Sequence, residues 1–98
     1  SANQEDHVSM GTIGAVKART ILSNTTYVLA IELMAACQAL ESRDYPTSEA
    51  LLALKNEFRK IVAVIEKDRI IYPDIENSKI FVESGKVLEI VSKYINLK

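Results

Sequence analysis

The sequence predicts an all-α fold, and three observations predict it. Only three glycines and two prolines punctuate 98 residues. No alternation of apolar and polar residues runs long enough to make a strand. Apolar residues recur instead at helical spacing, three and four apart. Hydrophobic residues make up 48%, which excludes a disordered chain. A chain of this length is at most one domain and buries somewhat over ~60% of its unfolded surface.

The first helix is expected from Ser9, whose hydroxyl would cap free amides, to Leu40. Its first half is small and permissive, with Gly11, Thr12, Gly14, Ala15 and Ala18. A glycine in a helix costs up to ~1 kcal/mol relative to alanine, which is tolerated where another helix or a ligand must approach the backbone. Its second half is apolar on every side, the mark of a helix surrounded by protein. About 31 helical residues would extend ~47 Å. A compact domain of this size is only ~34 Å across. The rest of the chain cannot cover such a helix all round. Either copies associate, or the segment lies within a larger polypeptide.

Asp44-Tyr-Pro-Thr-Ser48 carries turn and start signals, with Thr47 or Ser48 as the cap of the next helix. This second helix is expected over 48–67. Leu51, Leu54, Phe58, Ile61 or Val62, and Ile65 form its inward stripe. Lys55, Asn56, Glu57, Arg59 and Lys60 read as a solvated face. After the connection Asp68 to Asp74, a short helix is expected over 75–83, starting at Asp74. Gly85 permits a break, and a last helix is expected over 86–96 with Val87, Leu88, Val91 and Ile95 inward.

Net charge is −1 and the isoelectric point is about 5.8. Bulk charge therefore draws the chain neither to nucleic acid nor to an anionic membrane. The longest near-apolar run, Tyr27 to Leu40, has 14 residues and contains Glu32 and Gln38, short of the ~18 that a membrane span needs. The sequence carries no signal-peptide pattern. One cysteine, Cys37, cannot close an internal disulfide, and the cytoplasm is the simplest compartment.

The polar opening Asn3-Gln-Glu-Asp-His7 supplies two amides, two carboxylates and an imidazole within five residues. Read from the residues alone, it is either a solvated terminal coil or a group that orients a polar substrate. A metal needs three or four converging ligands, but His7 is the only histidine and Cys37 lies far along the chain. No metal is expected. Cys37 sits among Met34, Ala35, Ala36 and Leu40 with no neighbouring cation in sequence, and reads as an inert core thiol. Ser84 in Glu-Ser-Gly reads as a break between helices. Gly11-Thr-Ile-Gly14 lacks the spacing and the lysine of a phosphate loop.

The decapeptide Ser1-Ala-Asn-Gln-Glu-Asp-His-Val-Ser-Met10 resembles the signature of the aromatic amino-acid ammonia-lyases, above all the histidine enzymes. The resemblance continues through Val28-Leu-Ala-Ile-Glu-Leu33 and Ala35-Ala-Cys-Gln-Ala-Leu40. It resumes at Asp68-Arg69, Pro73-Asp-Ile75 and Ser84-Gly85, in the order found at the end of those enzymes. It implies the C-terminal part of a larger helical-bundle enzyme, a homotetramer, acting on a small amino-acid substrate. It also implies a methylidene-imidazolone electrophile made from an Ala-Ser-Gly triplet that this chain does not contain. The 98 residues alone would then be inactive.

The resemblance makes Glu5 the active-site acid beside the substrate, with Gln4 as a neighbour that orients it. Phenylalanine and tyrosine lyases commonly carry glutamine where Glu5 stands. A carboxylate accepts a hydrogen bond from an imidazole N–H or stabilises an imidazolium, and a phenyl ring offers neither. The resemblance leaves Asp6 and His7 structural roles at the helix entrance. Gly11-Thr-Ile-Gly14 departs from the Ala-Pro-rich stretch of many histidine lyases and keeps phenylalanine or tyrosine lyases and aminomutases open. A reading of another class is a non-catalytic helical module whose apolar helix fills a partner's groove.

Overall fold

A computed structural model describes residues 2–42 and 47–95, with side chains from residue 11 onward. Four helices follow one another: α1 (Ala2–Glu41), α2 (Glu49–Arg59), α3 (Tyr72–Glu83) and α4 (Lys86–Val91). The described residues contain no strand, so the fold is all-α as the sequence predicts.

α1 has 40 residues, which at ~1.5 Å each make it ~60 Å long. It begins at Ala2 rather than at Ser9. No proline lies between them to break a helix. Ser9 is therefore an interior residue and not a cap. The backbone of 3–7 is helical rather than coil. Further along, the hydroxyls of Thr20, Thr25 and Thr26 donate to the carbonyls of Val16, Ile21 and Leu22, one turn back. That satisfies them without a tertiary partner. The helix ends where Ser42 turns its amide and its hydroxyl onto the Ala39 carbonyl.

α2 starts where the cap was expected. The Ser48 hydroxyl accepts from the Leu51 amide at 3.2 Å. The helix stops at Arg59, eight residues before Lys67. Ile61-Val-Ala-Val-Ile65 is rich in β-branched residues, which are poor helix formers. Side chains also take over its backbone groups. Gln38 holds Ile65 at both ends, donating to its carbonyl at 2.9 Å and accepting from its amide at 3.1 Å. Arg69 donates to the carbonyls of Ala63 and Val64, and Arg59 to that of Val62.

The inward stripe of α2 is Ala50, Leu54 and Phe58, continued by Val62. Leu51, expected inward, is exposed, and of the pair Ile61 or Val62 it is Val62 that turns inward. The face expected to be solvated is also partly engaged. Lys55 and Arg59, 19% and 15% exposed, both grip Glu41 at the end of α1.

α3 starts at Tyr72 rather than near Ile75. Pro73 fits the first turn because its missing amide would be unpaired there anyway. Asp74 thus lies inside the helix, where its carboxylate accepts from Arg69 Nε at 2.9 Å. Gly85, at φ 79°, makes the left-handed turn into α4, a conformation that disfavours any residue with a Cβ. α4 ends at Val91, not Asn96, and tightens into turns as Lys93 and Tyr94 bond three residues back. Ile90 is its buried residue, whereas Leu88 and Ile95, expected inward, are exposed.

α1 packs mainly on α3, while α2 and α3 both pack on α4. One core results, formed by Cys37, Leu54, Phe58, Val62, Phe81 and Ile90. Phe58 and Phe81 meet edge to face, with centroids 5.5 Å apart and planes at 76°. The core lies at the C-terminal end of α1, and the molecule extends over 66 × 39 × 18 Å. Its radius of gyration, 18.6 Å, far exceeds the ~13 Å of a compact chain this long. As a continuous helix, the stretch Gly11–Glu41 is long and apolar enough to cross a membrane. The 14-residue run in the sequence does not show this, because the helix extends beyond it. Core helices of soluble proteins meet the same criterion.

Candidate functional site

The residues expected at a site, Glu5 and Gln4, fall in the first turns of α1. Their side chains, with those of Asn3, Asp6 and His7, lie outside the described residues. The helical backbone still narrows the cluster. Successive positions turn by ~100°, so positions 3 to 7 wrap more than once around the axis. Only a subset of the five can face one site. Position 5 shares its face with positions 8, 9 and 12. It also lies 32 residues, or ~48 Å, along the axis from Cys37 in the core. A substrate there would be enclosed by polypeptide other than helices α2 to α4.

The described polar clusters serve to join helices. Tyr27 on α1 donates its hydroxyl to Glu76 Oε1 on α3 at 2.5 Å. Lys79 Nζ sits 4.4 Å from the centre of the Tyr27 ring. The bond to Glu76, then burial, raise the Tyr27 phenol to about 12. It is a fixed donor and not a base at neutral pH. At the other end of α1, the hydrogen bond from Arg59 first, and then Lys55, hold the Glu41 carboxyl below its ordinary range against an opposing effect of burial. Cys37 is 3% exposed, and burial pushes its thiol up although Arg59 and Lys55 pull it down. A thiol kept protonated and covered is a poor nucleophile.

An apolar recess of about 420 Å³ lies between α1 and the α3–α4 corner. Leu29, Leu33, Val82 and Val87 line it, and it offers no group for acid, base or nucleophilic chemistry. A second recess between α2 and α4 holds Lys86 and Lys93 beside Glu57 and Glu89, charges of both signs that offset one another. Among the described residues, no three metal-ligating side chains converge. Sequence reasoning missed the roles of Tyr27, Gln38 and Arg69. For Gln38 a signal existed, since it is a lone amide in an apolar run.

A model of the family described as aromatic amino acid lyase matches residues 1–60. Histidine ammonia-lyase of Alkaliphilus metalliredigens is 45% identical over 98 residues, covering 99% of this chain and 19% of that protein. The Shewanella oneidensis enzyme of the same name is 53% identical over 77 residues, covering 78% and 15%. Histidine ammonia-lyase 1 of Fusobacterium nucleatum is 39% identical over 97 residues, covering 97% and 19%. The chain thus spans about a fifth of the length of these relatives. No solved structure matches it significantly.

Proposed function

The chain belongs to the aromatic amino acid lyase family, and from that premise we propose that it is the C-terminal part of an enzyme eliminating ammonia from L-histidine to give urocanate. The observation that carries the reading is the histidine ammonia-lyase likeness across 99% of the chain. In this reading the Glu5 carboxylate accepts the substrate's imidazole N–H, fixing the ring and stabilising positive charge on it. Gln4 orients that carboxylate.

The reading places the methylidene-imidazolone electrophile outside these residues. The sequence has no Ala-Ser-Gly, and its Ser-Gly does not fit such a group. Ser84 donates to the Phe81 carbonyl at 2.6 Å and accepts from the Lys86 amide, while Gly85 makes the α3–α4 turn. Both are engaged as a helix junction. The same reading places the protein in the cytoplasm as a homotetramer, with no metal, nucleic acid or membrane involved. The exposed apolar length of α1 supports the need for more protein around it. Gly11 and Gly14 support a second reading, a lyase or aminomutase acting on phenylalanine or tyrosine.

The test is made in the whole polypeptide. Glu5→Gln should lower turnover of histidine at least tenfold while leaving the circular dichroism spectrum unchanged. Equal rates for the two proteins would remove Glu5 from the site. Product analysis with histidine, phenylalanine and tyrosine separates lyase from aminomutase and fixes the ring. Urocanate formed by the 98-residue chain alone would refute the placement of the electrophile outside it.

A further inference from the structure

The continuity of α1 gives each opening position a counterpart further along. An α-helix returns to the same angle after about 18 residues, five full turns. Because α1 runs unbroken over Ala2–Glu41, positions 3 to 9 share their faces with positions 21 to 27. In that later turn Ser23, Thr26 and Tyr27 are half-buried, while Ile21, Leu22, Asn24 and Thr25 are exposed. The half-buried three mark the side toward α3. Tyr27 bonds Glu76 there, and Ser23 and Thr26 border a recess against Val82. Ala30, in register with position 12, is fully buried. Positions 5, 8, 9 and 12 therefore lie on the inner side of α1. Positions 3, 4, 6 and 7 lie on the others.

Of the opening cluster, only Glu5 is on that inner side. Residues four apart on a helix are neighbours, and consecutive residues are not. Gln4 adjoins Glu5 in the chain, about 100° away round the axis, whereas Ser9 adjoins it on the helix, about 40° round and ~6 Å along. Val8, also one turn on, has no polar group, and Thr12 lies ~10 Å along. Ser9 is thus the hydrogen-bonding residue within one turn of Glu5 on the inner side. It is an interior residue of α1, so no cap role claims it.

We propose that Ser9, one turn beyond Glu5 on the inner side of α1, is a positioning residue that fixes the Glu5 carboxylate for the substrate's imidazole, a role that rests on the reading of Glu5 as the acid beside the substrate. The chemistry suits the placement. A glutamate has three torsions to restrain, and a site reacts well only when its groups are held before the substrate arrives. A serine hydroxyl is a donor to a carboxylate, and a carboxylate with two oxygens has one left for an imidazole N–H. The competing use of such a hydroxyl is visible further along α1. Thr20, Thr25 and Thr26 donate to carbonyls four residues back, which serves the helix alone.

The test is a double-mutant cycle in the whole polypeptide, with Ser9→Ala, Glu5→Gln and both together, read as kcat and KM for histidine. Ser9→Ala should lower kcat/KM at least fivefold, and less than twofold once Glu5 is already Gln. Ser9→Thr should recover most of the loss, because it restores a hydroxyl. Alanine is the better helix former, so the loss cannot come from unwinding, and an unchanged circular dichroism spectrum checks this. The same loss in both backgrounds would show that Ser9 acts independently of Glu5 and overturn the proposal. Unchanged kinetics for Ser9→Ala beside an impaired Glu5→Gln would leave Ser9 a helix residue only, and would sink this proposal while sparing the role of Glu5. Unchanged kinetics for Glu5→Gln would sink both.

Discussion

Single residues show how polar groups tie this helical chain together. Tyr27 reads in the sequence as one more member of an apolar run. In the structure its hydroxyl joins α1 to Glu76 on α3. The phenol's ordinary value of 10.0 is raised to about 12, so the fold favours its protonated form. That stabilisation is fully present below pH 10 and is lost as pH rises through about 12. Titration followed by tyrosinate absorbance should show one of the four tyrosines ionising about two pH units late. Tyr27→Phe should abolish that late step, and its stability should no longer fall between pH 10 and 12. From the residues alone, Glu5 was legible only as one of five polar side chains in the opening cluster. Its role depends on the family resemblance, because one carboxylate in a polar run identifies no substrate.

At the scale of elements, the helices and the ends set by local signals were legible, and the ends set by distant contacts were not. Ser48 was readable as a cap because its interaction is local, reaching only to Leu51. The end of α2 was not readable, because it depends on Gln38, 27 residues earlier in the chain than Ile65. A side-chain amide that holds both backbone groups of Ile65 replaces the helical bonds they would otherwise make. Gln38→Ala should leave both groups unpaired in a half-buried place and destabilise the chain by about 1–2 kcal/mol. Urea unfolding followed by circular dichroism measures it. An effect below ~0.3 kcal/mol would mean that water replaces the amide without loss. In the inward stripe of α2, Leu54, Phe58 and Val62 are buried as expected, and only its first member differs, Ala50 in place of Leu51. Leu51 and Ala50 differ in hydrophobicity, but geometry admits the smaller one.

At the scale of the molecule, one small core holds four helices, and half of α1 projects beyond it. Phe58 is fully buried at the centre and packs edge to face on Phe81. Phe58→Ala should cost about 3–5 kcal/mol, comparable with the whole stability of a small domain. The variant should therefore lose its cooperative unfolding transition, α1 fraying with the rest. Retention of a sharp transition at unchanged midpoint would show that other contacts hold the core. The extended shape and the doubly apolar α1 explain why so long a helix was readable from sequence while its surroundings were not.

By itself, the sequence determined that this protein is helical, where its first break falls, and which family's residues open it. Those properties depend on local propensity, spacing and residue identity over short stretches. Only the tertiary structure decided that the opening cluster is helix, that α2 ends at Arg59, and which face of α1 the core takes. Each of these depends on contacts between residues far apart in the chain, or on helix continuity that no local cap signal encodes. That residues 3–7 wrap around a helix, so that only a subset of them can face one site, belongs to the same class.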